Sequence, residues 1–150
     1  MGTRGHKLLE HTADMGLLGW GESLEVAFEE TALALFDVMR SNDALELKDK
    51  AISFDISVSA DSTKEVDLLI EFLNSILMES DIKEAIPLDI RVENISRTDE
   101  QMNLKARVYC IPIQKAMDFL QCEVKAATYY GSMVERKDDG LWYARCVVDL

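Results

Sequence analysis

Ile52 to Ser80 reads ISFDISVSADSTKEVDLLIEFLNSILMES, and two periodicities meet inside it. Over its first eight residues Ile52, Phe54, Ile56 and Val58 alternate strictly with Ser53, Asp55, Ser57 and Ser59. That period of two describes a strand with one face in a core and the other in water. From Val66 the pattern changes: Val66, Leu69, Ile70, Leu73, Ile76 and Leu77 recur at helical spacing. Ser62 and Glu65 have the spacing of a capping box, which sets the expected helix start, and Pro87 is expected to stop any continuation. A half-wet strand followed directly by an amphipathic helix points away from a parallel sheet buried on both faces.

On the N-terminal side, Leu8 to Trp20 reads as strand material interrupted by the polar group Glu10, His11, Thr12 and Asp14. Ser23 can cap a helix running to about Met39, with Leu24, Phe28, Leu35 and Met39 along one side and Ala27, Leu33 and Phe36 widening the stripe. Glu25 and Glu29 near its start suit the helix dipole. On the C-terminal side, Leu88, Ile90 and Val92 alternate, as do Leu104, Ala106, Val108 and Cys110, joined by the turn SRTDEQ. Val124 to Tyr130 is a further β-prone run. Val134 to Arg136 and Leu141 to Val148 flank KDDG, where Asp139-Gly140 suits a hairpin. Two helices among roughly seven strands predict an α+β fold, a single domain over residues 1–150. In it the two main helices pack on one face of a mainly antiparallel sheet.

Charge and composition narrow the function classes. The 150 residues carry 28 Asp and Glu against 16 Lys and Arg, a net charge of −12. Such a surface repels a phosphate backbone, so strong direct nucleic-acid binding is not expected, whereas a basic protein or a cation suits it. No apolar run approaches the roughly 18 residues of a membrane span, so no membrane partner is expected. The start, MGTRGHKLLEH, lacks the apolar stretch of a signal peptide. Cys110, Cys122 and Cys146 are odd in number and form no CxxC pair, which predicts free thiols in a reducing cytoplasm. Phosphate loops, GxSxG and HExxH are all absent, and no Ser or Cys has a local base. Of the two histidines, His6 reads as a solvated residue of the N-terminal tail and His11 as a structural residue in the polar group.

The chain end poses its own question. WYARCVVDL is a strand that stops at Asp149-Leu150, bringing a side-chain carboxylate and the terminal carboxylate together. With Asp14, three hard anionic oxygen donors could meet, and such a set selects Ca²⁺ or Mg²⁺. On the residues alone the plainer reading weighs more: Asp149 as an exposed strand end and Asp14 as a turn residue.

Three separated stretches then carry a resemblance. EHTADMGLLGWGESLEVAFEETALALFDVM (Glu10 to Met39), EVKAATYY (Glu123 to Tyr130) and the terminal VVDL (Val147 to Leu150) closely resemble the archease family, in order and with similar spacing. The resemblance implies a protein cofactor rather than a stand-alone enzyme. Its implied partner is an RtcB-type RNA ligase, whose guanylylation and multiple turnover it promotes in tRNA splicing and RNA repair. An older proposal for the family is a chaperone-like modulator of a tRNA methyltransferase. The resemblance also implies a divalent cation, Ca²⁺ first with Mg²⁺ or Mn²⁺ as alternatives, held by Asp14, Asp149 and Leu150. In that reading the polar group and the chain end are two halves of one site. His11 and Thr12 would hold Asp14 in its rotamer, and Lys125 would support the site or face a partner. Tyr130 stands where the family commonly has His, Val26 where many members have Glu, and Pro112 to Cys122 matches poorly, as a variable loop or short helix. A metal-dependent phosphohydrolase built on the three carboxylates is the competing reading. Lys7 and Lys125 alone, however, give it little with which to clamp a phosphate chain.

Overall fold

The capping and patterning around Ser23 set the first helix. The Ser23 hydroxyl accepts from the Val26 N–H at 3.1 Å, and α1 runs Leu24–Met39 within the expected bounds. The structure is a computed structural model that describes residues 2–10 and 14–150. Two strands precede α1, β1 (Gly5–Glu10) and β2 (Asp14–Gly21). After it come a 3-10 segment (Asn42–Lys50), β3 (Ile52–Ala60), α2 (Glu65–Ile82), β4 (Ala85–Arg97) and β5 (Met102–Pro112). Two single 3-10 turns, β6 (Ala126–Arg136) and β7 (Trp142–Asp149) complete the chain.

All strand pairs are antiparallel, and the α+β class holds. The strands divide between two sheets, however: four strands in the order β1-β2-β7-β6 and three in the order β3-β5-β4. Helix α1 packs on β1, β2 and β7 of the first sheet and on β4 of the second. Helix α2 likewise touches β6 and β7 on one side and β3, β4 and β5 on the other. The helices therefore form the middle layer. That explains why α1 is buried nearly all round, through Ala27, Phe28, Ala32, Ala34, Leu35, Phe36 and Val38, rather than along one stripe. Phe28 and Phe72 stack between the helices at 5.8 Å between ring centroids. Gly19 lets α1 approach β2 closely, because a Cβ there would lie 2.3 Å from the Thr31 backbone nitrogen. Each sheet thus keeps one face against the helices and one outward. On the three-stranded sheet the outward face is the polar one, Ser53, Asp55, Ser57 and Ser59, with Asp55 paired to Arg107 at 2.8 Å.

Several local expectations are corrected. Ser62 and Glu65 make no capping box: the Ser62 hydroxyl accepts from the Lys64 N–H, and Glu65 reaches across to Arg97 on β4. Helix α2 ends before Pro87 has any influence. Glu84 adopts a left-handed backbone (φ +50°) and its N–H donates to the Asp81 carbonyl at 3.1 Å. Pro87 lies inside β4, an edge strand, where a missing N–H is tolerated. The register slips between Pro87 and Asp89, and buried Arg40 donates to the Pro87 and Leu88 carbonyls at 3.2 and 2.9 Å. The run expected from Val124 begins as a strand only at Ala126 and continues through Val134–Arg136 as one strand, β6, which bulges between Thr128 and Met133 with Gly131 at φ +65°.

His6 is the largest departure. It is half-buried in β1, with Nδ1 2.7 Å from Glu30 and Nε2 2.9 Å from Asp37, both on α1. Arg4 pairs with Glu29 and Glu30, and Arg40 with Asp37, so a chain of alternating charges ties the edge strand to the helix. Donating to the Asp37 and Glu30 carboxylates pushes the His6 imidazole up to about 9. Burial alone would raise the Glu30 and Asp37 carboxyls, but the bonds from His6, with Arg4 and Arg40, outweigh it and hold both below the ordinary range.

Candidate functional site

β1 and β2 are antiparallel neighbours, and His11 and Thr12, between them in sequence, lie outside the described residues. β2 begins at Asp14, and its register sets Asp14 directly opposite Asp149 on β7, with Ala126 of β6 next in the row. Residues directly opposite in an antiparallel pair share a face, with Cβ atoms about 5 Å apart. Two carboxylates therefore emerge side by side at one end of the four-stranded sheet.

Their surroundings are spare in donors. Asp14 Oδ1 is enclosed and has no hydrogen-bond partner among the described residues. Asp149 is exposed at the strand end, while its main-chain carbonyl accepts from the Lys125 N–H at 2.8 Å. Leu150 follows at once, its side chain packed against the core, which anchors the chain end beside the two aspartates. Lys125 contributes this backbone bond, and as a residue it is exposed.

Sequence reasoning missed Asn74. From α2 it clamps the start of β6, accepting from the Ala127 N–H at 2.8 Å and donating to the Ala127 carbonyl at 3.2 Å. An Asn on the apolar side of a helix, one residue after Leu73, was the available signal. Tyr130 lies at the β6 bulge, exposed, and away from the Asp14 row.

The same outward face continues from Asp14 and Asp149 through Gly16 and Val147, Leu18 and Arg145, then Trp20 and Tyr143. Unlike its counterpart on the other sheet it is mostly apolar. It also holds three buried polar atoms that lack partners among the described residues: Asp14 Oδ1, Arg145 Nε and Trp20 Nε1.

Neither buried thiol is disposed to act as a nucleophile. Burial pushes Cys146 up to about 11 and raises Cys110 as well. Among the described residues no three His, Cys, Asp or Glu side chains are grouped as a metal site. The donor set fits a hard divalent cation: two opposed carboxylates, one with an enclosed oxygen that no described residue donates to, and a chain end held beside them.

The archease protein family model matches residues 6–150. The chain belongs to the archease family. It is 36% identical over 141 residues to the protein archease of Pyrococcus abyssi, covering 94% of this chain and 95% of that one. The archease of Pyrococcus furiosus is 37% identical over the same length and shares. Among solved structures, protein 1598 of Methanobacterium thermoautotrophicum superposes with a TM-score of 0.77 at 28% identity, over 97% of this chain and 99% of that one. Among the described residues no helix is long and apolar enough to cross a membrane.

Proposed function

We propose that this archease is an accessory protein that activates an RtcB-type RNA ligase, with a divalent cation held by Asp14, Asp149 and the Leu150 carboxylate. The observation that carries the reading is the enclosed Asp14 Oδ1, without a partner among the described residues, directly across from Asp149. Close carboxylates repel unless a cation or proton joins them. The Lys125 N–H on the Asp149 carbonyl ties the lead-in to β6 to β7, and the clamp of Asn74 on Ala127 ties β6 to α2 at this end. They keep the donor set assembled before an ion arrives. A bound cation would supply a concentrated positive charge able to attract phosphate oxygens on an otherwise acidic surface. The chain's own residues hold that charge at an exposed sheet end and offer an adjoining apolar face for protein contact.

The absence of phosphate-loop and nucleophile motifs, together with buried thiols of raised pKa, supports an accessory role over a phosphohydrolase. The test is multiple-turnover RNA ligation by the cognate ligase with and without this protein. The reading predicts many products per ligase when it is present and about one when it is absent. Equal turnover in both would refute it.

A further inference from the structure

A second feature runs along α2 and adjoins the carboxylate site, sharing with it Asn74 and Lys125. An open groove of about 1060 Å³ runs between the C-terminal half of α2 and the segment from Ile113 to Lys125. Its lining includes Met39, Leu77, Met78, Ile86, Ile113 and Leu120. Met78 and Leu120 are 56% and 45% exposed, and Ile82 and Met117, beside the lining residues on each wall, are more exposed still. Large apolar side chains this open are unusual on a surface that carries net charge −12.

Three further observations bear on what covers it. The charged lining residues are Asp81, Glu84 and Glu123 against the single cation Lys125. The neighbouring Lys83 gives the rim nothing, because it pairs with Glu79 at 2.6 Å and lies over the Phe54 ring. Ser80 lines the groove, is 97% buried, and its hydroxyl has no hydrogen-bond partner among the described residues. A buried hydroxyl left unpaired in the free protein points to a group supplied from outside.

We propose that this groove docks an amphipathic helix of a protein partner, with apolar anchors toward Leu77, Met78 and Leu120 and Lys or Arg residues toward Asp81, Glu84 and Glu123. One wall is a helix and the other an irregular run from Leu120 to Lys125 that follows two 3-10 turns, and a strand added by β-augmentation would find only Ala85 and Ile86 at the start of edge strand β4 to pair with. A trough with an apolar floor and acidic rims matches a helix that repeats apolar residues every three or four positions and carries basic ones beside them. The methionines Met39 and Met78 can adjust to the anchors of a particular helix. The inference does not depend on the identity of the ligase.

The experiment is amide NMR of the labelled full chain, titrated with a synthetic Leu/Lys peptide of about 15 residues whose leucines have helical spacing. A peptide of the same composition in scrambled order is the control. The proposal expects saturable shifts centred on Leu77, Met78, Ser80, Leu120 and Cys122 with the amphipathic peptide only. Met78→Glu with Leu120→Glu should weaken binding about tenfold or more, as should Asp81→Lys with Glu84→Lys. These side chains are exposed or at the rim, and unchanged spectra elsewhere would show that the variants fold. Equal binding of the scrambled peptide, shifts centred on the outer face of the four-stranded sheet, or binding indifferent to the variants would overturn the proposal. Concentration-dependent shifts at the same residues without peptide would also overturn it, in favour of a second copy of this chain.

Discussion

Replacing His6 with Gln should remove a stabilisation that depends on pH in a defined direction. In the folded protein the imidazole is held at about 9 by Asp37 and Glu30, against an ordinary value of 6.5. A rise of that size corresponds to roughly 3.4 kcal/mol at about 1.4 kcal/mol per pH unit. The His6 side chain is 26% exposed, and solvent and salt reduce the net value to about 1.5–2.5 kcal/mol. Folding favours the protonated ring, so the stabilisation is fully present below pH 6.5, declines between 6.5 and about 9, and is lost above that. Denaturant unfolding of wild type and His6→Gln at pH 6.0, 7.5 and 9.5 reads this directly. The gap should be about 2 kcal/mol at the lowest of these and close to zero at the highest. Hydrogen exchange should show β1 amides opening more readily in the variant, since His6 and Arg4 join that edge strand to α1. A gap that stays constant or widens as pH rises would show that His6 packs without carrying charge.

Three further outcomes follow from the packing and the chain end. Arg40→Leu should cost about 3–5 kcal/mol in denaturant unfolding, because it strips the Pro87 and Leu88 carbonyls and Asp37 of a buried partner. Gly19→Ala should cost about 2–3 kcal/mol or more in thermal melts, because the new Cβ would meet the Thr31 and Ala27 backbone, which cannot swing aside. Residues added after Leu150 should lower ligase stimulation far more than an N-terminal tag, since the extension turns the terminal carboxylate into a neutral amide; equal stimulation by the two tagged forms would contradict this.

What could be read from the sequence divides along physical lines. The bounds of α1 were legible because capping by Ser23 is local and its apolar positions repeat. The hairpin turns at SRTDEQ and at Asp139-Gly140 were legible for the same reason, as turn chemistry lies within a few residues. The partition into two sheets was not, because alternation shows that a strand has a wet face but not which strand lies beside it. His6 looked solvated because its partners, Glu30 and Asp37, are 24 and 31 residues away and meet it only when β1 lies on α1. Ser62 and Glu65 had capping spacing, yet Arg97 from another strand won Glu65. The pairing of Asp14 with Asp149 is likewise a register fact across 135 positions of chain, 149 minus 14. Residue chemistry left it open, and the resemblance to archeases pointed to it.

The most direct test of the cation site is a calcium titration by calorimetry of four proteins: wild type, Asp14→Ala, Asp149→Ala and the double variant. Asp14 and Asp149 face each other across one strand pair, so with the Leu150 carboxylate they should act as a unit. The account predicts that each single variant loses most of the binding and the double loses little more. Thermal melts of the metal-free proteins should show the fold intact, and slightly more stable where a repelling carboxylate has gone. Independent, additive losses of affinity, or wild-type binding by Asp14→Ala, would show that the two aspartates and the chain end do not share an ion.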